Sequence, residues 1–401
     1  MTEILVISHK YPPTIGGMER HCYELVKQLK NHYTVHQIIY TPADGSKVLW
    51  MAKLKARVKK YLSSKPQIAM IYLNDGLIAS VCRWLPSHTS VPVVATYHGL
   101  DITFPATYYQ RKIIPQLHRF DLGIAVSTAT RSACLDRGFA PEKVVTVVNG
   151  VDHDIADIPQ DHQVLQQLAI EHGVTIGEKK LLVTMGRAVA RKGFSWFLDR
   201  VMPHLADDVL LLMIGPLNTK VSTTTHLKKL LPQKTQRMLN LFLGYPTDEE
   251  EVVRLLRDEK LQGRVLHLGK LPFKTMMQVL SAADLFVMPN ISVPGDAEGF
   301  GLVALEASLR GTPVLASGIE GITSAVHDGK NGYLLPSQDA SQWVACIERL
   351  LADTDALQRF SASGRAYSKA TYSWEKMASE YIEVFAPLID NYISSRDNTE
   401  A

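Results

Sequence analysis

Residues 296–311 read DAEGFGLVALEASLRG, and the reading of this stretch decides how the rest of the chain is understood. Leu302, Val303, Leu305 and Leu309, with the small Ala304, Ala307 and Ser308, predict a helix that Gly299 and Gly301 precede and Gly311 closes. Glu298 then lies in the loop before the helix, and Glu306 one turn inside it. The glycines let the backbone approach a ligand closely, and the unpaired N–H groups of the first helical turn favour an anion. The stretch reads as a phosphate seat flanked by two carboxylates.

With a diphosphate on that seat, one ionised glutamate is placed to accept hydrogen bonds from ribose hydroxyls and the other from an attached sugar, since a carboxylate only accepts. An amphipathic helix with incidental glutamates is the competing reading of the same residues. The words EGFGLVALEA resemble the E-x7-E signature of the retaining glycosyltransferases of family 4, among the glycosyl transferases group 1. The resemblance implies an α/β GT-B fold: two facing Rossmann-like domains with parallel sheets and an interdomain cleft. It also implies donor contacts from Gly299, Phe300, Gly301, Leu302 and Glu306, with Glu298 near the transferred sugar.

A chain of 401 residues with 46% hydrophobic content fills two cores comfortably. Its 43 basic and 40 acidic residues leave a net charge of +3, too balanced for a dedicated nucleic-acid binder. Cys22, Cys82, Cys134 and Cys346 are scattered without a C-x-x-C pair, which suggests a reducing compartment and no structural zinc. The opening MTEILVISHKYPP lacks a basic leader region, and no run reaches the roughly 18 apolar residues a membrane span needs. The expectation is a cytoplasmic protein, at most peripheral at the inner face of the membrane.

In the first half, apolar runs over 4–7, 35–39, 68–73, 91–97, 122–126 and 144–148 predict strands, with helix-period segments between them. This is the pattern of βαβ units on a parallel sheet. The first strand leads into SHKYPPTIGG and a helix over 18–29, not into G-x-G-x-x-G, so a nicotinamide or flavin dinucleotide is not expected. Gly16 and Gly17 suit a plain helix start or a ligand loop at a strand end. PPTIGGMER resembles the family's N-terminal glycine loop over the donor diphosphate. After the fourth strand comes TYHGLD: the resemblance puts His98 near the donor sugar and leaves Asp101 as a weaker candidate for acceptor contact. Residues 148–152, VNGVD, resemble the phrase that closes the family's N-terminal domain.

Residues 46–74 contain seven cations and no carboxylate, with Trp50, Leu54, Val58 and Tyr61 at helical spacing. A surface helix is the simpler reading, and docking of the stretch near 50–61 on anionic lipid is the second. Asp152-His153-Asp154 spells D-x-D, but it falls at a domain exit away from the phosphate seat and reads as incidental. The Gln-rich residues 158–177 read as a connector, giving domains over 1–170 and 178–372, with a last helix over 374–392 expected to pack back on the first.

In the second half, strands are expected over 181–184, 209–214, 265–268, 285–288 and 314–316. The first ends in GRAVARKG, where Arg187 and Lys192 are spaced to converge on one diphosphate, as in the family's GR…KG clamp; Arg191 is a further cation. Lys270 in GKLP stands where the family seats its base, and residues 216–246 form an insertion without an assignment. Residues 316–322 and 328–336 resemble later family phrases but depart from them at Thr323 and Ser324.

The resemblance implies retaining transfer of a sugar from a nucleoside-diphosphate sugar, UDP before GDP, to a glycan or lipid-linked acceptor. Arg187, Lys192, Glu298 and His98 are the candidate catalytic residues, with no metal and no pyridoxal phosphate. A non-catalytic nucleotide-sugar-binding protein and a glycan phosphorylase-like enzyme are the alternatives.

Overall fold

Short runs of apolar, largely β-branched residues bounded by helix-forming segments favour strands covered on both faces. In the computed structural model, which describes residues 1–14, 16–217 and 247–400, those runs form two six-stranded sheets. The first holds β1 (Glu3–Ser8), β2 (Thr34–Ile39), β3 (Ile68–Leu73), β4 (Val93–Tyr97), β5 (Leu122–Ala125) and β6 (Val144–Thr146). The second holds β7 (Lys180–Met185), β8 (Val209–Ile214), β9 (Val265–Gly269), β10 (Leu285–Met288), β11 (Val314–Ser317) and β12 (Tyr333–Leu335). Every ladder between these strands is parallel, and β3, β4, β8, β10 and β11 are buried along their whole length.

The strand orders are β2-β1-β3-β4-β5-β6 and β12-β11-β10-β7-β8-β9. Each order reverses direction once, between β1 and β3 and between β7 and β10. The loops leaving the carboxyl ends of those strands splay apart there, and open α/β sheets bind ligands in the crevice that results.

The chain divides into an N-terminal unit, Met1–Gly150 with Tyr372–Ala401, and a C-terminal unit, Val151–Thr371. This corrects the boundary expected at 170–178. The Gln-rich segment is no connector: it holds the helix His162–Glu171, whose buried Leu165 and Ala169 face the helix Phe273–Ala282. Arg310 ties the preceding turn to the same unit, donating to the carbonyls of Ile155 and Ile158 at 2.7 Å each.

The last helix, Trp374–Glu400, belongs to the N-terminal unit. The Ser373 hydroxyl caps it by accepting from Lys376 N–H at 3.0 Å. Trp374, Met377, Tyr381, Phe385 and Ile389 recur every three or four residues and are buried, making one apolar stripe against β3 and the helix Gly17–Leu29. Gly150, where the chain leaves the unit, lies against Ser373, where it returns: a Cβ at Gly150 would sit 2.4 Å from the Ser373 carbonyl. Most of the insertion at 216–246 lies outside the described residues.

Candidate active site

Two loops bring the charged residues of the C-terminal unit together. Beyond β7, residues Ala190–Lys192 make one tight turn that Gly193 ends at φ 65, opening the helix Phe194–Arg200. A Cβ on Gly193 would lie 2.0 Å from the carbonyl of Pro289, so glycine is what lets the turn reach the loop beyond β10. That second loop runs through Asp296 and Glu298 to Gly301, which at φ 103 starts the helix Leu302–Leu309.

The turn and the loop meet on one carboxylate. Lys192 Nζ stands 2.7 Å from Glu298 Oε2, Arg191 Nη1 pairs with the same oxygen, and Asn290 Nδ2 donates to it at 3.2 Å. Arg191 Nε also lies 3.2 Å from Asp296 Oδ1. Lys192 and Asp296 are buried. Burial alone raises the Glu298 carboxyl, but the Arg191 and Lys192 charges outweigh it and hold the group at about 2. Burial raises Asp296 as well, against the pull of Arg191. From the loop after β11, Glu320 accepts the backbone N–H of Glu298 at 2.6 Å, and burial pushes its carboxyl up to about 7.

Arg187 and Lys192, expected to converge on one diphosphate, lie within electrostatic reach of each other. Arg187 is exposed at the start of the turn, whereas Arg191 joins Lys192 on Glu298 because the tight turn presents the two consecutive cations to one carboxylate. Glu306 stands one turn into its helix and is partly buried, with the buried Phe300 and the glycines 299 and 301 fronting the first turn. Lys270 is exposed beyond β9, two strands from β7 at the sheet edge, and is not brought to this cluster. Sequence reading missed Asn290, Asp296 and Glu320 as members.

In the N-terminal unit the strand ends gather a different set. Gly16 and Gly17 open the helix Gly17–Leu29, and a Cβ at Gly16 would meet the Glu19 carboxylate at 2.3 Å. Glu19 is paired with Lys10 at 3.1 Å. His98 Nε2 lies 2.9 Å from the Asn74 carbonyl, and its ring packs edge-on to His21 with centroids 5.0 Å apart. Asp101 is not free for an acceptor: its carboxylate accepts from the His98 N–H at 2.9 Å and the Gly76 N–H at 2.9 Å, bracing two loops. The buried Asp75 caps the helix Gly76–Cys82 and pairs with His9 at 3.0 Å. His21 is fully buried, 2.8 Å from Asn149 Oδ1, and burial lowers its pKa to about 3. Tyr72, Thr96 and Tyr381 continue that network through their hydroxyls at 2.7 and 2.9 Å.

The D-x-D string serves local structure, with Asp152 accepting from Asp154 N–H at 3.2 Å at the start of a short turn. Among the described residues, no group of three or more His, Cys, Asp or Glu is arranged to hold a metal ion. The basic helix spans Lys47–Ser64, and Trp50, Leu54 and Val58 are packed into the unit's core. Lys55 and Lys59 lie over the Trp84 ring at 5.2 and 5.6 Å, while Val48 and Leu49 are exposed. Among the described residues, no helix is long and apolar enough to cross a membrane.

Comparison with known proteins agrees with this architecture. Residues 168–367 match the family model for glycosyl transferases group 1, and residues 15–155 match that for glycosyltransferase family 4. D-inositol 3-phosphate glycosyltransferase of Nocardia farcinica is 30% identical over 205 residues, which is 50% of this chain and 42% of that protein. This chain therefore spans less than half the length of that relative. Alpha-maltose-1-phosphate synthase of Mycolicibacterium smegmatis is 24% identical over 419 residues, 95% of this chain and 98% of the relative. The solved structure of Anabaena HepE in complex with UDP superposes with a TM-score of 0.69 at 19% identity, over 96% of this chain and 100% of that one. Two Rossmann-like units of parallel strands in this order are the GT-B fold. The chain belongs to glycosyltransferase family 4.

Proposed function

We propose that the protein is a retaining glycosyltransferase that moves a sugar from a nucleoside-diphosphate sugar, UDP before GDP, to a glycan or lipid-linked acceptor in cell-surface polysaccharide or glycolipid synthesis. The observation that carries this reading is the convergence of Lys192, Arg191 and Glu298 at the mouth of the glycine-fronted helix, where the strand order reverses. The N-terminal unit is assigned the acceptor.

In this reading the donor diphosphate takes over Lys192 and the arginines 187 and 191, aided by the first-turn amides of the helix Leu302–Leu309. Glu298, relieved of those cations, then accepts from hydroxyls of the transferred sugar, and Glu306 accepts from the ribose. As the glycosidic bond lengthens, negative charge grows on the leaving phosphate and the fixed cations stabilise it. The departing phosphate helps deprotonate the acceptor hydroxyl on the same face of the sugar, so no carboxylate acts as nucleophile. His98 supports the donor sugar.

Fixed cations do the work that a metal held by carboxylates does in other transferases. Slow release of nucleoside diphosphate from the donor without acceptor tests the reading against a non-catalytic binder. That release should persist in excess EDTA and fall about 10-fold or more in Arg187→Ala and Lys192→Ala, a loss of roughly 1.4 kcal/mol or more of transition-state stabilisation. Abolition by EDTA with rescue by Mg²⁺ or Mn²⁺, alongside near-normal cation variants, would overturn it.

A second reading concerns the helix Lys47–Ser64 at an anionic membrane surface. It rests on seven cations without a carboxylate over residues 46–74, together with the exposed Val48 and Leu49. The Trp50, Leu54 and Val58 stripe is used in the core, so the contact is mainly electrostatic, about 1 kcal/mol per cation near the surface. Replacing Lys53, Lys55, Arg57, Lys59 and Lys60 with Gln should abolish co-sedimentation with anionic vesicles. Unchanged co-sedimentation would rule the contact out.

A further inference from the structure

Beyond β11 the chain folds back onto the loop that carries Glu298. Gly321 N–H donates to the Glu298 carbonyl at 3.0 Å, and the Glu320 carboxylate accepts the Glu298 N–H at 2.6 Å. Both peptide groups flanking the Glu298 side chain are thereby held by consecutive residues. The approach is close: a Cβ on Gly321 would lie 2.0 Å from the Gly299 carbonyl. Glu320 takes part from φ 53, a left-handed backbone shape that, among the described non-glycine residues, only Gln338 shares. Glycine would make the same turn without strain, so the glutamate side chain answers a need that the turn does not.

The charges around Glu320 supply that need. Facing it are Glu298 and Asp296 from the loop beyond β10 and Arg191 from the turn beyond β7, whose neighbour Lys192 pairs with Glu298. Three carboxylates share these two cations and the nearby Arg187, and an arriving diphosphate competes for the same charges.

We propose that Glu320 is a positioning residue for Glu298 and that loading a nucleotide sugar into the C-terminal unit takes up one proton on Glu320. This rests on the nucleotide-sugar reading above. When the diphosphate claims Arg191 and Lys192, the carboxylates lose their counter-charge, and protonating one of them relieves the repulsion. Glu298 is held far on the acidic side, whereas burial leaves Glu320 near neutrality. A protonated Glu320 still accepts the Glu298 N–H through its carbonyl oxygen, so the brace survives the change. Because the bound state holds the extra proton, affinity falls as pH rises, by at most about tenfold per pH unit for one proton.

Calorimetric titration with UDP-glucose, or with GDP-mannose if that is the nucleotide sugar that raises the melting temperature, tests this. Their diphosphate diesters do not titrate near neutrality. In HEPES and Tris, whose ionisation enthalpies differ, the apparent binding enthalpy of the wild type should differ by the heat of the protons taken up, and affinity should drop about tenfold between roughly pH 6.5 and 8.5. Glu320→Gln keeps an acceptor for the Glu298 N–H and cannot titrate: it should bind within about threefold of wild type at low pH and lose both the buffer dependence and the pH slope. Glu320→Gly suits φ 53 and removes the acceptor. It should bind free UDP within about threefold but hydrolyse the donor about tenfold more slowly. Binding without proton uptake in the wild type, or unchanged uptake in Glu320→Gln, overturns the inference and leaves the nucleotide-sugar reading intact. Absence of nucleotide-sugar binding at every pH brings down both.

Discussion

Beyond β1, β3 and β4 the N-terminal unit gathers imidazoles, hydroxyls and an amide, with carboxylates turned inward to brace loops. Beyond β7 and β10 the C-terminal unit gathers arginine, lysine and carboxylates on one another. The sheets share a plan and the loops do not. A strand order that reverses supplies a crevice whatever lines it, so the chemistry of each crevice must come from short loop words. The C-terminal words present cations that, in the proposed function, neutralise a diphosphate; the N-terminal words offer mainly uncharged hydrogen bonds, which suit a sugar or polyol better than an anion.

The largest break in this contrast is expected from Lys192→Ala. It leaves Glu298 with Arg191 and the Asn290 amide in a site only 13% exposed, and removing one member of a buried pair costs about 3 kcal/mol or more. Thermal unfolding should show the loss, and a change below 1 kcal/mol would place the pair effectively in solvent.

Acid should next separate the two units. His21, lowered to about 3, stays neutral when folded, while its unfolded form takes up a proton near its ordinary 6.5. Its contribution is therefore intact above that value and declines as pH falls, by roughly 1.4 kcal/mol per pH unit. Glu298, also depressed, contributes above its ordinary 4.5 and loses that contribution as pH falls towards about 2. Glu320, raised to about 7, runs the other way and favours folding as it protonates below that pH. Denaturation followed between pH 7 and 5 should weaken the N-terminal unit first, and His21→Gln should flatten that slope; an unchanged slope would assign it elsewhere.

The smallest effect sharpens the division of labour. Glu306→Ala should weaken nucleoside diphosphate binding by about 1.5 to 3 kcal/mol through loss of a charged acceptor, while His98→Ala, in the other unit, should leave it within about 0.5 kcal/mol. Equal losses in a calorimetric titration would mean that nucleotide recognition is not confined to the C-terminal unit.

Most of the fold was legible because eleven of the twelve strands carry short apolar stretches between helix-period segments, and their ends fell within two residues of expectation. The exception, β12, is three partly exposed residues after a glycine turn, too short for any periodicity to register. The helix His162–Glu171 was hidden for another reason: its outer face is polar, and the two residues that anchor it, Leu165 and Ala169, do not stand out in a Gln-rich run. At the site, the spacing of Arg187 and Lys192 pointed to the turn beyond β7, but the pairing of Arg191 with Glu298 depends on the tight turn at 190–192 and was not legible. Glu320 gave no signal. It meets Glu298 only because residues 320–321 fold onto 298–299, a contact between segments some twenty positions apart. Asp101 misled because a carboxylate beside a glycine at a strand end looks the same in sequence whether it meets a ligand or caps a loop.

The return of the last helix to the N-terminal unit also sets an order of assembly during synthesis. The C-terminal unit is one continuous segment, complete once Thr371 has left the ribosome, whereas the unit that begins the chain lacks Tyr381, whose hydroxyl meets Thr96, and the stripe around it until the helix after Ser373 emerges. The half translated first is thus the half finished last, and a nascent chain whose emerged part ends between residues 372 and 390 would carry a folded C-terminal unit together with an N-terminal sheet with an open apolar flank. Such a chain is a natural client for chaperones that hold exposed apolar surface.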